Sequence, residues 1–94
     1  MKRRRIGSLT ISGLPIVVYE ADLSHDGDAG QCRDGAVYLD QSLRGAARQE
    51  ILLHEVIHAV SNTYALGLRE DQVHDLSLAL FALGARIKLK ERKK

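Results

Sequence analysis

Cysteine, proline and aromatic residues are scarce in this 94-residue chain, and tryptophan is missing altogether. The single cysteine, Cys32, excludes an intrachain disulfide framework and fits a reducing compartment. Three tyrosines and one phenylalanine are too few to form a platform on which successive bases could stack. No apolar run approaches the roughly 20 residues that span a bilayer. The start, MKRRRIGSLTISG, is charged but lacks the apolar core of a secretory signal. These absences point to a cytoplasmic protein without membrane contact.

What is present is the composition of a globular domain, 45% hydrophobic and 28% charged. The length suits one domain over residues 1–94, near the lower limit of what a hydrophobic core alone can stabilise, so a bound metal would help it. The charges are segregated: Lys2, Arg3, Arg4, Arg5, Arg86, Lys88, Lys90, Arg92, Lys93 and Lys94 hold ten of the fourteen basic groups. Residues 6–85 carry four Lys/Arg against eleven Asp/Glu. Basic, flexible ends at about 1–5 and 88–94 are therefore expected. They solubilise the chain on the plainer reading and touch nucleic acid on the alternative one.

Residues Ser8 to Ile11 and Ile16 to Tyr19 are largely β-branched or aromatic, and SGLP between them supplies a turn, so a β-hairpin is expected. The polar segment from Ser24 to Gln31 reads as a loop, and Ala36 to Asp40 as a third strand with Val37 and Leu39 on one face and Tyr38 on the other. Helical periodicity runs from Leu43 to about Thr63, with Gly67 as a stop signal, and resumes from Arg69 to about Lys90. This order predicts an α+β fold, a small antiparallel three-stranded sheet packed against two helices, the first carrying the His-Glu-x-x-His motif.

That motif lies in LLHEVIHAV, Leu52 to Val60. Residues four apart share one helix face, so His54 and His58 can aim both imidazoles at one metal ion. Glu55, about 100° further round, can hold a water activated by that metal. Burying these polar groups in an apolar run without partners costs several kcal/mol, in a domain whose whole stability is roughly 5–15 kcal/mol. One catalytic Zn2+ removes that cost, against the plainer alternative of core histidines.

A catalytic zinc takes three protein ligands and keeps one position open. The second helix supplies the third, for which Glu70 is favoured over His74 and Asp71. His74 alternatively donates a hydrogen bond to substrate or oxyanion. Cys32 is read as an inert thiol, with a fourth, blocking ligand as the sharper alternative. His25 is expected to be an exposed loop residue and Tyr64 a packing residue, with a transition-state donor as the sharper alternative for Tyr64.

These residues resemble the small single-domain zincin metallopeptidases of the gluzincin type, the minigluzincins, and short phage and prophage proteins carrying the same motif. The resemblance is carried most specifically by LLHEVIHA, and further by LTISGLPIVVYEADL, GQC, AVYLD and GLREDQVHDLSLALFAL. It implies peptide-bond hydrolysis, with His54, His58 and Glu70 as zinc ligands and Glu55 as general base and proton shuttle. It further implies that a peptide or protein substrate pairs along the strand Ala36 to Leu39. A zinc-stabilised binding module without appreciable catalysis is the alternative function. The sequence does not set the oligomeric state.

Overall fold

The computed structural model describes residues 2–91; Met1 and residues 92–94, parts of the expected basic ends, lie outside the described residues. The chain runs β1 (Arg3–Ile11), β2 (Leu14–Ala21), a 3-10 turn (Ser24–Asp26), β3 (Gly30–Arg33), β4 (Ala36–Asp40), α1 (Gly45–Thr63) and α2 (Glu70–Ala82). The α+β class is as expected. The sheet is not: it has four strands in the order β1-β2-β4-β3, with β2 and β4 parallel and the other two pairs antiparallel.

The extra strand, β3, comes from the segment read as loop. Asp34 and Gly35 take φ values of 52° and 72°, the pair of positive angles that closes a two-residue hairpin. Gln31 and Cys32 are thereby paired with Tyr38 and Val37. Ser12 and Gly13, at 50° and 79°, make the same kind of turn between β1 and β2. Because the chain passes from β2 to the far edge before turning back, β4 inserts between β2 and β3. Both of its edges are consequently occupied, so Ala36 to Leu39 cannot receive an extended peptide, contrary to expectation.

One sheet face carries Ile16, Val18, Val37 and Leu39 against Leu52 of α1, with Ile6, Leu9, Val56, Ile87 and Leu89 packed around them. Leu53 and Ile57 on another side of α1 bury Val73 of α2, so α1 lies on the sheet and α2 rests on α1. Burying side chains of this size stabilises the fold by about 1.5–3 kcal/mol each. The opposite sheet face is closed by Tyr19 and Tyr38, stacked with centroids 5.3 Å apart.

Arg3 to Arg5 of the basic start lie within β1. Arg3 lies 4.2 Å over the Tyr19 ring and donates to the Tyr38 hydroxyl, while Arg4 pairs with Glu20 at 2.7 Å. At the other end α2 stops at Ala82 rather than near Lys90, because Gly84 at φ 95° closes a left-handed cap. Ala85 N–H donates to Leu80 O and Gly84 N–H to Phe81 O, satisfying the last carbonyls. The following residues return to β1, where Ser8 and Lys90 exchange backbone hydrogen bonds of 3.0 and 2.7 Å. Gly7 permits this approach, since a Cβ there would stand 2.8 Å from Leu89 Cβ.

α1 ends in the same manner, but on Ala65 at φ 53° rather than at Gly67, with Leu66 N–H donating to Ser61 O. A left-handed conformation costs a residue with a Cβ roughly 1–2 kcal/mol, part of which glycine's greater unfolded-state freedom offsets. Ala65→Gly is expected to raise unfolding stability by about 0.5–1 kcal/mol, measured by urea denaturation. Among the described residues no helix is long and apolar enough to cross a membrane.

Candidate metal centre

The stripe Ile51, Glu55, His58 and Asn62 recurs at three- and four-residue spacing, so these side chains share one face of α1. That face looks toward β3, which begins at Gly30 against Ile51 and Glu55. His54 lies beside the stripe on the flank nearer α2. A cleft of about 420 Å³ is lined by Asp28, Gly30, Gln31, Cys32, Glu55, His58, Asn62 and Glu70.

Glu70 reaches the histidines because the linker is pinned. Ser61, buried on α1, accepts the Leu66 N–H at its carbonyl and the Leu68 N–H at its Oγ, the latter at 3.0 Å. The chain is thereby folded back, and Gln72 Oε1 accepts the Arg69 N–H to start α2 with Glu70 as its first residue. Buried Val73 fixes the helix one turn later. Glu70 and Asp71 in that first turn also complement the helix dipole.

The Glu70 carboxylate bridges the two imidazoles. His54 Nε2 lies 2.7 Å from Oε1 and His58 Nε2 lies 2.8 Å from Oε2, with the two rings 5.0 Å apart. One ligand atom from each residue falls within 4.8 Å of the others. Two imidazole nitrogens and a carboxylate oxygen are the donor set of a catalytic zinc site, whose ligands stand about 3.3 Å apart when each is about 2.0–2.1 Å from the ion. The donor types suit such an ion, and the three side chains would hold it if Glu70, whose side chain is 73% exposed, withdrew slightly and the ligand atoms closed from a spread of up to 4.8 Å toward that spacing. Its carboxyl is held below the usual range: slight desolvation, the largest single influence, raises it, but the hydrogen bonds and charges of His54 and His58 together outweigh that.

Glu55 is in a different state. It is only 7% exposed, and burial first, then the charges of Glu70 and Asp28, push its carboxyl up to about 7. The folded protein therefore holds this proton more tightly than the unfolded chain between the ordinary value of 4.5 and about 7. Metal-free protein should gain this contribution fully below the lower value and lose it as pH rises through the upper one, by at most about 3 kcal/mol. Urea midpoints measured across that window in chelator should fall with pH, and Glu55→Gln should flatten the fall.

The other sequence candidates are placed as follows. His74 is exposed, its ring 6.2 Å from that of His54, and it lies outside the group of potential ligand atoms, as does Asp71, which pairs with Arg69. Cys32 faces α1 and packs into the main core. Burial, then the charge of Glu55, raises its thiol, and it too is outside that group. Tyr64 is exposed, with its hydroxyl against that of Ser12, and His25 is exposed in the 3-10 turn.

Several site residues were not anticipated. Gly30 permits the closest approach of β3 to α1, and a glycine within a strand is the one local signal of such an approach. Asp28 adds negative charge near Glu55, and the Gln31 amide donates to Asp28 and Asp26 at 3.0 Å each, shaping the mouth of the cleft. Ser61 carries no sequence signal of its role. The chain matches no family model, no curated protein and no solved structure.

Proposed function

We propose that this protein is a zinc-dependent metallopeptidase of minimal size. The observation that carries this reading is the convergence of His54, His58 and Glu70, with the buried Glu55 lining the same cleft as His58 and Glu70. Zinc held by those three residues supplies Lewis acidity, polarising a peptide carbonyl and lowering the pKa of water toward about 7.

The remaining chemistry belongs to the chain. Glu55 takes a proton from the attacking water and passes it to the leaving amine, a role open to a carboxyl held in the cleft beside His58 and Glu70. His74 on α2, its ring 6.2 Å from that of His54, donates a hydrogen bond to the developing oxyanion. The substrate is an extended polypeptide. Among the described residues β3 is paired with a strand on one side only, and its Gly30 end stands beside Glu55, so strand addition along its outer edge would bring an extended chain to Glu55 and His58. Strand addition there replaces the expected pairing along Ala36 to Leu39.

Mass spectrometry of an unfolded polypeptide incubated with zinc-loaded protein tests this reading. Fragment pairs whose masses sum to the substrate plus one water are expected, and chelation should abolish them. Full zinc loading with intact substrate would instead favour the binding-module function.

A further inference from the structure

Glu55 is useful as a proton carrier only if its carboxyl is held at one place relative to the histidines, and α1 alone does not fix it. A glutamate side chain has three rotatable bonds, and the helix restricts only the first of them, leaving the other two to set where the carboxyl lies. The constraint comes from β3. Gly30 presents bare backbone to α1 so closely that an added Cβ would stand 2.7 Å from Ile51 Cγ2, 2.9 Å from Glu55 Cγ and 3.1 Å from Glu55 Oε2. Ordinary contact begins at 3.4 Å, so no other amino acid fits without moving the strand, or both Ile51 and the glutamate. Nor does Gly30 serve a turn: it lies within β3, paired with Leu39, and its φ is not in the left-handed region.

We propose that Gly30 is a positioning residue for Glu55. Its missing side chain lets β3 close over the glutamate, confining the carboxyl beside His58 and screening it from water. The same strand carries the open edge assigned to substrate, so the proton carrier and the scissile bond are indexed to one piece of backbone. This inference rests on the metallopeptidase reading for its catalytic meaning, but its geometric content is independent of that reading.

The test compares wild type, Gly30→Ala, Ile51→Ala and the Gly30→Ala/Ile51→Ala double variant, each loaded with zinc. Crystal structures should show the Glu55 carboxyl displaced in both variants that carry Gly30→Ala, with His54, His58 and Glu70 in place and zinc content unchanged. A misplacement of about 1 Å lowers kcat by on the order of 100-fold, with KM within about threefold.

Ile51→Ala removes the nearest clash and leaves the one with Glu55, so the double variant should recover the melting temperature of Ile51→Ala while remaining slow. It also carries the comparison should Gly30→Ala alone fail to fold. A Glu55 carboxyl unmoved by the Gly30→Ala substitution would overturn the proposal, as would a kcat that returns together with stability. Should wild type cleave nothing, the metallopeptidase reading fails, and the crystallographic position of Glu55 still decides the role of Gly30.

Discussion

Replacing Glu55 by glutamine is expected to lower kcat by about 10²–10⁴-fold while one zinc per chain is retained. Glutamine has the shape of glutamic acid and fills the same space beside Gly30, so the helix, the cleft and the three ligand side chains are unchanged. What it lacks is the ability to gain and lose a proton. The substitution should not destabilise the metal-free protein near neutral pH, because a neutral amide carries none of the desolvation cost that pushes the Glu55 carboxyl up to about 7. Activity by single-turnover kinetics and zinc by elemental analysis, measured on one sample, check the pair of outcomes. Undiminished turnover would remove Glu55 from the mechanism.

Glu70→Ala is expected to weaken zinc binding by at least about 100-fold, by removing one of three protein ligands rather than an outer-shell partner, whose loss alone costs about 10–100-fold. The remaining pair, His54 and His58, brings no negative charge to offset that of the ion. The effect is also visible as stability. Free zinc at 100 times its dissociation constant stabilises the folded wild type by about 2.7 kcal/mol. For a domain of this size that corresponds to a melting-temperature rise of roughly 10–20 °C. Glu70→Ala should lose most of that rise at the same zinc concentration. Asp71→Ala and His74→Ala should keep it, since those side chains lie outside the group formed by His54, His58 and Glu70. Unchanged zinc affinity in Glu70→Ala, measured by competition with a chelating dye, would exclude it as a ligand.

How much of this was legible in the sequence depended on whether a feature is local. The first helix, the start of the second, the β1–β2 hairpin and the opposed faces of Val37, Leu39 and Tyr38 follow from periodicity and turn residues, and the structure has them. β3 was missed because Gly30–Arg33 is four residues long, with no β-branched or aromatic side chain, although Asp34–Gly35 is a strong hairpin signal. That one omission moved the open edge of the sheet from β3 to β4. The second helix was overextended because Leu83, Ile87 and Leu89 prolong an apolar pattern past Gly84, where the backbone had already turned left-handed. Arg3 to Arg5 read as a tail because the tyrosine that accepts from Arg3 lies 35 residues away in sequence.

The site divides in the same way. His54, Glu55 and His58 are legible from spacing within one helix. The approach of Glu70 depends on Ser61 anchoring the linker, and the confinement of Glu55 depends on a glycine in a neighbouring strand, both tertiary facts.

The central claim, that one ion held by His54, His58 and Glu70 works with Glu55 to hydrolyse peptide bonds, is tested most directly by titrating metal-free protein with zinc while following cleavage of an unfolded polypeptide. The account predicts hydrolysis that is absent without zinc, rises linearly and levels off at one equivalent, with Glu55→Gln at least about 100-fold slower at the same loading. No cleavage by wild type at saturation, or equal cleavage by Glu55→Gln, would contradict it.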